Sequence, residues 1–296
     1  MEIDGLKTEI IEQRKRERAS TEYLPLKVTV TVNKNSYLHI GAAEAPLREK
    51  KGPVFTIQGR PVIPATSFKG AWRVQMEDLV ERNWTELAQK LGSADKREAW
   101  QPCIPSPAKG VAVTEKKEFE GRRKLASCQV TIEESGLKIN DRTARPKDPA
   151  ICPVCYFFGA NGLPGFLRVA NLMLPEATAE SGLYDQTRTR RTRGSVDGVA
   201  GGALVTLVQV EPGTQFVGEM ELTLKSNRNI FGQPRRLDNN TVDLWLRSVA
   251  ESQLAERRLL LLKDLLLPSL LNVRVLGGMR SMKAGNVEVS FDIPEA

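Results

Sequence analysis

Three features predict an α+β fold: a half-buried strand at residues 26–33, a helical stripe that begins after Pro64, and alternating segments between residues 203 and 225. In the first, Leu26, Val28, Val30 and Val32 alternate with Lys27, Thr29, Thr31 and Asn33, the period of a strand with one face in a core. Leu38-His39-Ile40-Gly41 then enters a stretch, 42–53, where glycine, alanine and charge break both periodicities, so a loop is expected. Val54 to Ile57 return as extended chain to the turn Gln58-Gly59-Arg60-Pro61.

The helix is expected to start at an N-cap supplied by Thr66 or Ser67, with Phe68, Trp72, Met76, Leu79 and Val80 as its core stripe. Lys69 and Arg73 share another face near the positive end of the helix dipole, where cations are unfavourable unless an anion is bound. A phosphate there would account for both, and two solvated bases are the alternative. Residues 92–150 turn polar and irregular, as loops or an inserted subdomain. Extended segments follow at 165–174, 203–210 and 215–225, the last two joined by the turn Glu211-Pro212-Gly213-Thr214; Phe216, Met220, Leu222 and Leu224 share a face. An amphipathic helix is predicted from Thr241 to about Leu267, stopped by Pro268, and then a final strand in which Val287, Val289 and Phe291 point inward. This order is compatible with a ferredoxin-like sheet covered by helices on one face.

Composition narrows the function. With 41% hydrophobic residues in 296, the chain can bury a core. Its 43 Lys plus Arg against 36 Asp plus Glu leave a net charge of +7, which favours a polyanionic partner. Arg188, Arg190, Arg191 and Arg193 concentrate that charge, and Asp197 is the one acid between residues 186 and 210. This is a cationic arm, or else a strand guarded by charge against aggregation. The longest apolar run, Leu259 to Leu267, is interrupted by Lys263 and Asp264 and falls well short of the ~20 residues of a membrane span. The amino terminus is charged and lacks an apolar export segment, so a cytoplasmic location without a membrane partner is expected. The single histidine, His39, excludes an HExxH hydrolase and a two-histidine zinc finger. No Gly-Lys pair, GxG or GxSxG occurs, which excludes a Walker A loop, the usual dinucleotide turn and a nucleophile elbow.

Cys103, Cys128, Cys152 and Cys155 all lie in or beside the polar middle segment, the last two as CxxC. A CxxC brings two thiolates to one tetrahedral metal and two further cysteines complete the shell, so a structural zinc (Zn2+) site is expected. Buried unligated thiols and a redox pair are the alternatives. A redox CxxC should open a helix after a strand, whereas here Pro149 precedes it and Phe157-Phe158-Gly159 follow.

Six stretches in order resemble the RAMP superfamily, specifically backbone subunits of type III CRISPR effector complexes. They are Leu38 to Gly41; Ile63 to Arg73; Cys152 to Gly159 leading to Gly165 to Val169; the arginine arm through Ser195-Val196-Asp197 and Gly202-Ala203-Leu204; Val210 to Phe216; and Gly277-Gly278 through Gly285. The resemblance implies a single domain over 1–296 with a modified RNA-recognition-like palm. It also implies a polar, zinc-binding insertion at 92–158 and a thumb-like basic hairpin at 184–210. Ser67, Lys69, Gly70 and Arg73 would hold guide RNA phosphates, and the arm of Arg188, Arg190, Arg191 and Arg193 would lie near the thumb between guide and target RNA. His39, Gly41, Gly277 and Gly278 would line the RNA-facing surface, the glycines permitting close backbone approach. Partners would be guide RNA, target RNA and the neighbouring backbone, large and small subunits, in antiviral defence.

Some relatives in that family cleave target RNA with an aspartate in the loop after the His-Ile-Gly motif and a divalent metal. Here the loop has no aspartate, and Glu44 is the candidate that would bind Mg2+. An RNA-holding scaffold is therefore the leading expectation. A nuclease using Glu44 or His39 is the second, and a zinc-stabilised adaptor docking through the leucine-rich helix at 254–267 the third.

Overall fold

The alternation starting at Leu26 becomes β1, Glu22–Val32, in which Leu26, Val28, Val30 and Val32 are fully buried and Lys27 is exposed. The structure is a computed structural model that describes residues 21–41, 54–91, 97–103, 128, 130–133, 136–139, 151–175, 183–191, 202–237, 240–278 and 284–294. After β1 come β2 (Thr56–Ile57), β3 (Arg60–Ile63), the long helix α1 (Ala65–Leu91) and a short α2 (Arg97–Trp100). The middle of the chain adds β4 (Val130–Glu133), β5 (Gly136–Ile139), α3 (Pro153–Phe158), β6 (Leu167–Arg168) and β7 (Leu172–Met173). Next are β8 (Leu183–Arg191), β9 (Gly202–Val210), β10 (Gln215–Lys225), β11 (Arg236–Leu237) and β12 (Asn240–Thr241). The chain closes with α4 (Leu254–Leu261), a wide π turn (Leu262–Leu266), α5 (Leu267–Leu271) and β13 (Val287–Asp292).

The fold is therefore mixed α and β, and its registered strand pairings among the described residues are antiparallel. Two compact units are present, one drawn from Met1–Pro25, Arg73–Arg168 and Glu221–Leu270, the other from Leu26–Trp72, Val169–Met220 and Leu271–Ala296. The greater part of the main sheet, in the order β13-β1-β10-β7-β3-β2, falls in the second unit. β1 pairs with β13 from Lys27↔Asp292 to Val32↔Val287, and Val287 and Val289 are buried as their alternation requires. The turn before β10 closes on β1, with the Gly213 amide donating to the Val32 carbonyl at 2.8 Å. The β8–β9 hairpin belongs to this unit as well, in register from Leu183↔Val210 to Arg191↔Gly202.

In the first unit, Met76, Val80, Leu87 and Leu91 turn the body of α1 inward, and Trp100 meets Trp245 edge-on at 5.1 Å between ring centroids. Phe68 and Trp72, the start of the same stripe, are buried in the second unit.

Four local expectations are corrected. The helix starts at Ala65, ahead of Thr66 and Ser67, because the Asn171 side chain accepts from the Ala65 amide at 2.8 Å and supplies the cap from a distant segment. The segment expected as one strand over 165–174 divides into β6 and β7. Residues 242–250 are not helical: Val242 is tied through its amide to the Arg235 carbonyl and through its carbonyl to the Ile151 amide, and these contacts override the amphipathic pattern. Nor does Pro268 stop the last helix. The Leu267 amide reaches back five residues to the Leu262 carbonyl, a widened turn that admits a proline ring without the usual clash. Leu261, Leu265, Leu266 and Leu270 on this helical stretch are core. No helix among the described residues is long and apolar enough to cross a membrane.

Candidate functional site

The CxxC opens α3 with Cys152 at the N-cap position, in extended conformation, and Pro153 at the start of the first turn, where a missing N–H costs nothing. Cys155 follows one turn later. The sequence-based reason for discounting a helix at this CxxC is thus removed, although the helix is only six residues long and all of them are buried. Beyond its end the chain folds back so tightly that a Cβ on Gly165 would stand 2.2 Å from the Phe157 carbonyl oxygen. Glycine is required there by packing, which gives the spacing of Gly159 and Gly165 a structural cause.

Cys103, just after α2, and Cys128 join Cys152 and Cys155, and the four sulfurs lie within 4.8 Å of one another. All four residues are buried, at 1–3% exposure. The Cys103 and Cys155 sulfurs are 3.4 Å apart, far beyond the ~2.05 Å of a disulfide. Sulfurs at about 2.3 Å around a tetrahedral zinc stand about 3.8 Å from each other, so this donor set fits such an ion. Hydrogen bonding from Cys128 lowers the Cys103 pKa, and the same sharing raises Cys128 and Cys155 well above a free thiol.

Arg73 faces this cluster. Its Nη2 donates to the Cys155 sulfur at 3.2 Å and to the Cys103 sulfur at 3.4 Å, and its Nε donates to Glu77 Oε1 at 3.0 Å. Burial would lower its pKa, but the negative charge available on Cys155 and Cys103 outweighs that and raises it. The sequence position of Arg73 beside Lys69 predicts a phosphate partner at the helix start; the packing directs its guanidinium to sulfur.

A second buried group supports the CxxC segment and was missed from sequence. Arg235 and Asp243 form a two-pronged ion pair, at 2.9 and 2.8 Å, with side chains 1% and 0% exposed. Arg235 also donates to the Pro164 carbonyl and lies over the Tyr156 ring, 5.0 Å from its centroid. The Tyr156 hydroxyl donates to the Gln233 carbonyl and accepts from the Gly232 amide. No motif marks Arg235 and Asp243, which pair across a sequence separation of 8 and find their further partners, Pro164 and Tyr156, in another segment.

In the second unit, His39 is buried, with Nδ1 3.0 Å from the Val208 carbonyl. Its own carbonyl accepts from the Gly278 amide at 2.9 Å. A Cβ on Gly277, whose φ is +74°, would stand 2.3 Å from that same oxygen. His39, Gly277 and Gly278 are thus brought together, and Gly41 is exposed where it bridges Val54. Ser67 and Lys69 are half-buried in the first two turns of α1, while Gly70 is exposed. Arg188, Arg190 and Arg191 are in β8; their side chains, together with Arg193 and Glu44, lie outside the described residues.

The sequence profile of the RAMP superfamily matches residues 33–282, and the chain belongs to that superfamily. No curated protein matches it. Among solved structures it is similar to a chain of the type III-B Cmr-beta complex bound to cognate target RNA, with TM-score 0.41 and 12% identity over 99% of this chain and 67% of that one. A chain of a type IV-B CRISPR complex gives TM-score 0.38 and 14% identity over 92% of each. A chain of the apo type III-B Cmr-beta complex gives 0.38 and 14%, covering 90% of this chain and 97% of that one.

Proposed function

We propose that this chain is an RNA-binding backbone subunit of a type III CRISPR ribonucleoprotein, holding guide RNA by its phosphates and presenting it for pairing with target RNA. Gly70 carries the proposal. It lies inside α1, exposed, and among the described residues nothing stands within 4 Å of a Cβ built on it, so packing against them does not require glycine. Glycine inside a helix costs about 1 kcal/mol relative to alanine. Close approach of an RNA backbone supplies a reason for it, and Ser67 and Lys69 flank it where helix N–H groups and the dipole favour phosphate. Membership of the RAMP superfamily and the order of the six motifs support the same function.

In this arrangement the main sheet is the ferredoxin-like palm and the β8–β9 hairpin is the thumb, with Arg188, Arg190, Arg191 and Arg193 between guide and target strands. His39, Gly41, Gly277 and Gly278 complete the RNA-facing set, all within one RAMP-type domain. Neighbouring backbone, large and small subunits are its protein partners. Cys103, Cys128, Cys152 and Cys155 hold a structural zinc, whose chemistry is to cross-link the segments that bear them where a polar insertion offers little core of its own. Scaffolding, without a cleavage step, is the assigned role.

The test is RNA binding by the purified chain across a salt series. Affinity should fall steeply with salt, and Lys69→Ala should weaken binding and reduce the log–log slope by about 0.7, one single-strand phosphate contact. Identical affinity and slope in wild type and variant would remove the helix start from the RNA-binding surface.

A further inference from the structure

We infer that Arg73 is a positioning residue of the cysteine centre, fixing two of its four thiolates and offsetting their charge, and thereby setting how tightly the metal is held. This rests on the zinc assignment above. The geometry is that of a clamp. Nη2 reaches both Cys103 and Cys155, at 3.4 and 3.2 Å, and these two sulfurs come from separate segments, one following α2 and the other within α3. Nη1 is directed at the Gly159 carbonyl at 3.5 Å, at the end of α3. Nε is held by Glu77 one helical turn further on, at 3.0 Å, and the Arg73 side chain is 17% exposed. A guanidinium held by four partners has little left to offer a phosphate.

The chemistry of the site explains why such a group belongs there. Four thiolates around a dication leave two net negative charges in a buried cluster, and uncompensated buried charge is costly. A guanidinium against two of the sulfurs offsets part of that charge, and its N–H groups fix the direction of the sulfur lone pairs. Outer partners of this kind commonly change metal affinity by 10–100-fold. Lysine keeps the charge but lacks the planar fork, so it should restore only part of the effect.

The experiment uses the full chain loaded with Zn2+ and titrated against a chromophoric chelator. Arg73→Met should raise the zinc dissociation constant by about 10-fold or more, with Arg73→Lys between it and wild type. Leu87→Ala, which opens the core under the same helix, is the control for general destabilisation; it should lower thermal stability and leave zinc affinity unchanged. RNA binding by zinc-loaded Arg73→Met should keep the wild-type salt slope, in contrast to Lys69→Ala. Wild-type zinc affinity in Arg73→Met would overturn the inference and leave the zinc assignment standing, as would an equal loss of affinity in Leu87→Ala. A wild-type chain that binds no zinc would overturn both.

Discussion

The guanidinium of Arg73 lies 3.2 Å from the sulfur of Cys155, so the long helix and the CxxC segment form two walls of one buried cluster. A residue whose sequence position suggests phosphate binding is, in the folded chain, a partner of thiolates. The cluster and the helix start then have separate chemistry, which can be perturbed separately.

Metal removal should unfold more than the insertion. With free zinc 1,000-fold above its dissociation constant, binding adds about 4 kcal/mol to stability. Chelation, or the double change Cys152→Ser and Cys155→Ser, should therefore lower Tm by about 10 °C. Elemental analysis should find one zinc per chain in the wild type and none in the variant. Unchanged zinc content would end the four-cysteine site.

Two glycines should respond to alanine with opposite signs. Among the described residues nothing crowds Gly70 on its helix, and Gly70→Ala should stabilise the fold by about 0.5–1 kcal/mol while weakening RNA binding. At Gly277, with φ +74° and the His39 oxygen 2.3 Å from the added carbon, alanine should destabilise by about 1–3 kcal/mol. Urea denaturation of both variants, beside RNA titration of Gly70→Ala, measures this. Stabilisation of Gly70→Ala with undiminished RNA affinity would contradict the role assigned to that glycine.

The Arg235–Asp243 pair should be costly to break from one side. Asp243→Ala leaves a buried guanidinium over Tyr156 with one carbonyl partner, and should cost about 3–5 kcal/mol. Replacing both residues by apolar side chains should cost much less than the single change predicts. Denaturant midpoints of the single and double variants provide the comparison, and a double-variant loss as large as that of Asp243→Ala would contradict the uncompensated-charge account.

Local periodicity made much of the fold legible. The alternation in β1, β10 and β13 and the stripe of α1 depend on neighbours two to four residues apart, and the described burial follows them. The cysteine cluster was legible too, because CxxC plus two cysteines is a donor count as well as a spacing. What could not be read depends on long-range partners. Asn171 caps α1 from another segment, Arg235 and Asp243 hold residues 242–250 out of a helix, and a π turn carries the chain past Pro268. The partners of Arg73 belong to the same class. Its position on the helix was readable, whereas the approach of α3 that determines what it meets was not.

The most direct test of the central claim is to purify the chain from cells carrying its own CRISPR array and to sequence the RNA retained through a moderate-salt wash. An RNA-holding backbone subunit should retain repeat-derived guides of a few discrete lengths. No RNA, or a random sample of cellular transcripts, would contradict it.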